Sequence, residues 1–199
     1  GLALATLLAA ATTSLAGAAP LAATTPLTVT TPLTATTPSA AAVSGSRAVA
    51  DDCRPEHRPR SGQELDGFRL GRLPHRIGSL VTDFASEWEG TEFTTRVWES
   101  GPDADGGYRV DLQVVIMRNP AFTDPAAVKA FLTDWLERDP AGWPTVGFDH
   151  PDGPGFSDAD EFVWLAEPGT AVRVAGYGES VGPRELHRTA CAVRRSVQR

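Results

Sequence analysis

The chain has 199 residues and carries 18 Lys plus Arg against 25 Asp plus Glu, a formal net charge of −7. That length holds one ordinary domain with some additional chain, and the acidic balance argues against a nucleic-acid partner, because phosphate binding needs clustered positive charge. The charge is unevenly spread: Arg47 is the only charged side chain in the first fifty residues, so the remainder carries 17 basic against 25 acidic groups, a net of −8. Lys129 is the only lysine, and an Arg-, Ala- and Gly-rich composition of this kind points to a GC-rich bacterial source.

The first element is the apolar run Leu2-Ala-Leu-Ala-Thr-Leu-Leu-Ala-Ala-Ala, of signal-peptide length and too short to span a bilayer comfortably. Ala16-Gly-Ala18 places small residues before a cleavage point at Ala19, so residues 1–18 read as a signal peptide with a truncated start. Ala48-Val-Ala50 is a second small-residue site but lies far from the apolar run, and no Leu-x-x-Cys lipobox precedes Cys53. Residues 19–52 form a linker built on a six-residue repeat: Thr24-Thr-Pro-Leu-Thr-Val, Thr30-Thr-Pro-Leu-Thr-Ala and Thr36-Thr-Pro38. A Pro every six residues cannot continue a helix or a central strand, and few residues here can build a core. The segment is expected to be extended and disordered, either as a plain linker or as an O-glycosylated stalk.

Residues 53–199 are expected to form a single α+β domain. Arg54–Glu64 is polar and Pro-containing, a loop, and Phe68–Leu73 is a short edge strand closed by Pro74. Leu80–Trp88 places Leu80, Phe84 and Trp88 on one phase, the pattern of a half-buried strand. Phe93–Trp98 is rich in β-branched and aromatic residues. After the turn Gly101–Gly107, the stretch Tyr108–Ile116 alternates cleanly, and these two runs predict a hairpin. Asp124-Pro125 combines a capping carboxylate with Pro at the first helical position. Val128, Phe131, Leu132, Trp135 and Leu136 then form one apolar stripe, so the helix packs on the sheet. Asp139-Pro140 stops it. Residues 140–160 are dense in Gly, Pro and Asp and read as an irregular loop. Glu161–Ala166 and Thr170–Ala175 are strands around the turn Glu167-Pro-Gly169. A final helix from about Pro183 carries Leu186, Ala190, Val193 and Val197 on one face. The expected fold is an antiparallel sheet of five to six strands with two packed helices on one face.

The two cysteines stand at opposite ends of this domain. Export permits a disulfide, and Cys191 lies about 140° from Leu186 at 100° per residue, off the apolar stripe. That placement suits a bridge to Cys53 better than burial as a lone thiol.

Gly178-Glu-Ser180-Val-Gly182 matches the G-x-S-x-G pattern of a hydrolase nucleophile elbow, and it follows a strand and opens a helix as that motif requires. Glu185 and His187 follow in acid-then-His order, but both fall in the first turns of the next helix, which points His187 away from Ser180. Ser180 capping the last helix is the simpler reading. The four histidines, His57, His75, His150 and His187, show no metal-ligand spacing, with His57 and His150 in loops. The acidic stretches Asp149–Asp152, Ser157–Glu161 and Asp103–Gly107 lack spaced EF-hand ligands and read as solvated turns. Glu87, Glu89 and Glu92 around Trp88 are candidates for a carboxylate pair, whose separation only a structure can give. There is no phosphate-cradling Gly-Lys loop and no dinucleotide fingerprint, and no cofactor or metal is expected. Of the five tryptophans, Trp88, Trp135 and Trp164 sit on core phases. Trp98 has an ambiguous face and Trp143 lies in the Gly/Pro loop, so these two are the candidates for a binding surface.

Phe162-Val-Trp164-Leu-Ala-Glu-Pro-Gly169, Val172-Arg-Val174, Glu185-Leu186 and Ala190 resemble the final hairpin and helix of LolA-like and MucB-type extracytoplasmic bacterial domains. The domain as a whole is similar to small secreted proteins of actinobacteria. The resemblance implies a curved antiparallel sheet that binds lipid or a partner protein, and it brings no catalytic motif. The expected function is therefore an exported, non-enzymatic, monomeric domain that binds a protein, cell-wall or lipid ligand. The alternative is a small secreted hydrolase using Ser180 or a carboxylate pair.

Overall fold

The computed structural model describes Cys53 and residues 62–196. The expected signal peptide and Thr/Pro linker, with His57 and Val197, lie outside the described residues.

The domain is α+β, with two helices and two antiparallel sheets. Strands β1 (Gln63–Leu65), β2 (Phe68–Leu70) and β10 (Val193–Arg195) form a three-stranded sheet in the order β1-β2-β10. The larger sheet contains β3 (Leu80–Trp88), β4 (Thr91–Ser100), β5 (Arg109–Arg118), β6 (Val146–His150), β7 (Gly153–Ser157), β8 (Glu161–Glu167) and β9 (Thr170–Gly176). Its order is β3-β4-β5-β9-β8-β7-β6, two meanders joined where β5 meets β9. Helix α1 (Pro125–Trp135) connects the meanders, and α2 (Pro183–Ala192) leads from β9 into β10. The strand count exceeds the expected five to six.

Two turn signals account for much of the difference. Asp66 and Gly67 both take positive φ, 43° and 80°, as a two-residue hairpin turn between β1 and β2 demands. Residues 146–157, read from their Gly and Pro content as a loop, fold as the β6–β7 hairpin. Glycine is needed here for close approach: a Cβ at Gly155 lies 2.0 Å from the Val163 carbonyl oxygen on β8. The residues that depress strand propensity are thus the ones that let β7 pass against β8.

Helix α1 starts as expected, with the Asp124 carboxylate accepting the Ala127 N–H and Pro125 in the first turn. The helices do not share a face of the sheet. Val128 and Leu132 of α1 pack with Phe93, Val115, Met117, Val163 and Leu165. Leu186 and Ala190 of α2 pack with Leu112, Val114, Ile116, Phe162 and Trp164, the side that the small sheet also covers. Central strands buried on both faces read as near-continuous apolar runs rather than alternations. Phe162-Val-Trp-Leu-Ala166 is such a run, buried throughout.

Cys53 and Cys191 form the expected disulfide, with Cα atoms 5.2 Å apart across 138 residues of sequence. It fixes Cys53 to α2 beside the core on that side. Among the described residues, no helix is long and apolar enough to cross a membrane.

Candidate functional site

Three places concentrate the chemistry. The first surrounds Ser180. The β4–β5 register passes from Trp98↔Leu112 to Glu99↔Val110, leaving Asp111 as the extra residue of a bulge. The Asp111 carboxylate is completely buried. It accepts the Gly78 N–H at 2.8 Å, the Ser100 hydroxyl, and Arg109 Nη2 at 3.3 Å. Arg109 Nη2 also donates to Ser180 Oγ at 3.0 Å. Burial alone pushes the Asp111 carboxyl up, but hydrogen bonds from Ser100, Ser180, Gly78 and Arg109 outweigh it and hold the group below the usual carboxylate range. A carboxylate held ionised in this way is a poor acceptor for a serine proton.

No imidazole among the described residues hydrogen-bonds Ser180. His187 instead lies 3.6 Å from Cys191 Sγ through Nε2 and packs edge-on against Phe148 and Phe162. Glu185 accepts the His75 N–H at 3.0 Å. The G-x-S-x-G stretch is thus a structural turn that ties the β9–α2 loop to the bulge. The expected capping role for Ser180 is also corrected: Gly182 caps α2 without a side-chain bond, because Ser180 is engaged by Arg109 and Asp111.

The second place is a cleft of about 700 Å³ lined by Arg138, Trp143, Asp158, Glu161, Arg173 and Tyr177, among others. Its floor is a chain of ions. The buried Glu161 accepts Arg173 Nε at 2.5 Å through one oxygen and Arg138 Nη1 through the other. Asp158 accepts Arg138 Nη1 at 3.4 Å and the Trp143 indole N–H at 2.8 Å. Arg173 Nη1 and the Tyr177 hydroxyl both donate to Gln113 Oε1, at 2.9 and 3.0 Å. Desolvation works against the Arg173 charge, yet the neighbouring Glu161 and Tyr177 raise its pKa above the usual guanidinium value. Buried Glu161 and Arg173 are paired with each other, and Glu161 with Arg138 as well.

Both tryptophans offered for a binding surface are less exposed than expected. Trp143 is only 6 % exposed, held by Asp158 with the Arg138 guanidinium 4.2 Å above its ring. Trp98 is 2 % exposed and belongs to the core on the α2 side. Trp143 lines the cleft from this enclosed position, whereas Trp98 is core.

The acidic loops use their oxygens on their own backbones. Asp158 Oδ1 accepts the N–H groups of Asp160 and Glu161, and Asp103 Oδ1 those of Asp105 and Gly107. Glu87 accepts the Gly90 N–H. Cys53, His187 and Cys191 have ligand-type atoms within 4.8 Å of one another, but both sulfurs are committed to the disulfide. His150, read as a solvated loop residue, is buried and stacks on Trp164 at 4.1 Å between ring centroids.

The third place is the edge strand β3. Its residues from Leu80 to Glu87 are all exposed, and only Trp88 is partly covered, by an edge-on contact with Phe131 at 5.4 Å. The half-buried strand expected here has the right phase but no cover, because α1 reaches only its Trp88 end. Leu80, Val81 and Phe84 are 41, 43 and 46 % exposed. Among the described residues, β3 pairs with β4 along one side only, through all nine residues, and its other side ends the sheet. The opposite edge, β6, is five residues long.

The described residues form an α+β protein whose main antiparallel sheet is buried on both faces at its central strands and open, among those residues, along the long edge β3. No family model, no curated protein and no solved structure matches it.

Proposed function

We propose that the domain is an exported, non-enzymatic binding module that takes an extended segment of a polypeptide as an added strand along β3. The observation that carries this reading is the state of β3: nine residues, exposed on both faces, with three solvent-facing apolar side chains. Folded proteins usually blunt such an edge with charged side chains, Pro, a bulge or a short strand. Leu80–Trp88 contains no Lys and no Pro, its two charges Asp83 and Glu87 are engaged by Arg96 and the Gly90 N–H, and its pairing with β4 runs without a register shift over its whole length. Strand addition draws affinity from the unpaired backbone groups of the edge and specificity from side chains on alternate positions.

A protein ligand is favoured over a lipid. The core of each sheet face is filled, one by α1 and the other by α2 with the small sheet, and the cleft beside α1 is lined by ions. The apolar run before Ala19 and the Cys53–Cys191 bridge support export.

Photo-crosslinking tests the reading in cells that produce the protein. A photoreactive residue at Ala85 is expected to give a discrete protein adduct, and one at Asp149, on the opposite edge, none. Absence of an adduct from Ala85, or equal labelling from both positions, rejects strand addition at β3. The mass of the adduct identifies the partner.

A further inference from the structure

We infer that the polypeptide taken up along β3 is β3 of a second copy of this chain, paired antiparallel about Phe84 in a two-fold dimer. This rests on the strand-addition reading above and names its partner, replacing the monomer expected from sequence.

The geometry limits the possibilities. Two identical strands pair antiparallel about a two-fold axis normal to the sheet, so directly opposed residues point to the same face and one residue opposes its own copy. An axis through Asp83 sets the two Asp83 carboxylates opposite each other. An axis through Ala85 sets Asp83 opposite the partner's Glu87. Like charges directly opposed are destabilising, which disfavours both. An axis through Phe84 uses the whole strand, pairing Leu80 with Trp88, Val81 with Glu87, Thr82 with Ser86, Asp83 with Ala85, and Phe84 with itself. No carboxylate then opposes a carboxylate.

The same register sorts the apolar surface. Leu80, Phe84 and Trp88 share one phase and one face, the side on which Trp88 meets Phe131 of α1. The central Phe84 pair and the two flanking Leu80–Trp88 pairs bury the exposed rings and the leucine together. Asp83 accepts two hydrogen bonds of 2.6 Å from Arg96 on the neighbouring strand, which hold its side chain on the β4 side while it faces the partner's Ala85. Pairing β3 with the other edge, β6, would instead be head-to-tail and open-ended, and the five residues of β6 would leave part of β3 uncovered. Isologous pairing closes after two copies and joins two seven-stranded sheets into one.

Sedimentation velocity on the purified full chain, over a range of concentrations, tests the dimer. The weight-average mass is expected to rise from that of one chain toward that of two. Phe84→Lys puts two ammonium groups opposite each other on the axis and is expected to weaken association roughly tenfold or more. Val81→Lys places a cation opposite the partner's Glu87, twice per dimer, and is expected to tighten it several-fold. Both side chains are exposed in the single chain, so thermal unfolding at low concentration should match the wild type and exclude misfolding.

Cysteine scanning reads the register directly. Phe84→Cys is expected to cross-link across the axis, where opposed Cβ atoms lie about 5 Å apart. Thr82→Cys is expected to stay uncross-linked, its own copy being roughly 13 Å along the strand. A single-chain mass at every concentration, a dimer indifferent to Phe84→Lys, or equal cross-linking at both positions overturns the inference. If the chain stays single in solution while Ala85 still captures a different protein in cells, self-pairing fails and strand addition stands. If both experiments are blank, both fail.

Discussion

His150 is the residue with the most consequence for pH. It is 5 % exposed, stacked on Trp164, and accepts the Asp152 N–H on Nδ1 at 3.1 Å, while Arg194 lies 3.0 Å from Nε2. Burial first, and the Arg194 charge second, lower its pKa from 6.5 to about 3. The unfolded chain therefore binds a proton between pH 6.5 and about 3 that the folded chain refuses. This contribution to stability is complete above pH 6.5 and drains away as pH falls toward 3, at up to about 1.4 kcal/mol per pH unit. Urea midpoints are expected to drop steadily from pH 7 to pH 4.5, and His150→Phe should flatten that slope. An unchanged slope in the variant would assign acid sensitivity elsewhere. Nothing local in Asp149-His-Pro-Asp152 announces this environment; the stacking partner lies on β8 and Arg194 on β10, and one-dimensional reading treats the histidine as a turn residue. The same limit applies to Trp143, whose Gly/Pro surroundings suggest exposure while Asp158 and Arg138 enclose it. The Cys53–Cys191 pair was legible because an even cysteine count, the expectation of export and the helical phase of Cys191 pointed the same way.

At the scale of elements, what could be read depended on how strongly each segment repeats a period. The stripe from Val128 to Leu136, with Asp124-Pro125 before it, located α1, and β-branched alternation located β4, β5, β8 and β9. The β6–β7 hairpin escaped because Gly153-Pro-Gly155 has the composition of a loop; only the proximity of β8 explains why a strand there needs glycine. Gly155→Ala puts a methyl carbon 2.0 Å from the Val163 carbonyl oxygen and 2.6 Å from Trp164 Cα, both rigid backbone. The variant is expected to lose about 1–3 kcal/mol of stability, the range for overpacking, seen as a lowered urea midpoint with an unchanged slope. Stability equal to wild type would mean that β7 is free to move off β8. The bulge at Asp111 was equally hidden, since Asp111 falls on the polar phase of a cleanly alternating run and reads as solvent-facing until Gly78, Ser100 and Arg109 are found around it. The two-sided burial of the sheet was visible in principle, in the unbroken apolar run Phe162–Ala166, but alternation in Tyr108–Ile116 suggested a sheet covered on one face.

At the scale of the molecule, the disulfide closes a loop of 138 residues. In the chain-entropy model a loop of this size restrains the unfolded chain by roughly 5 kcal/mol. Reduction of the intact protein, or paired Cys53→Ser and Cys191→Ser replacement, is expected to lower the melting temperature by many degrees while leaving the strand content by circular dichroism intact at room temperature. A melting temperature insensitive to reduction would show that the unfolded state is already constrained. The bridge also settles how the domain responds to being pulled. Tension applied between the Thr/Pro-rich stretch that precedes Cys53 and the chain beyond Cys191 passes from one residue to the other through two sulfur atoms. The seven-stranded sheet, β1, β2 and the first helix hang as a closed ring off that line, while β10, beyond Cys191, lies on the pulled segment and meets the ring through its pairing with β2. A domain wired in this way sends a pull through the bridge and β10, away from the open strand edge, which belongs to the other sheet.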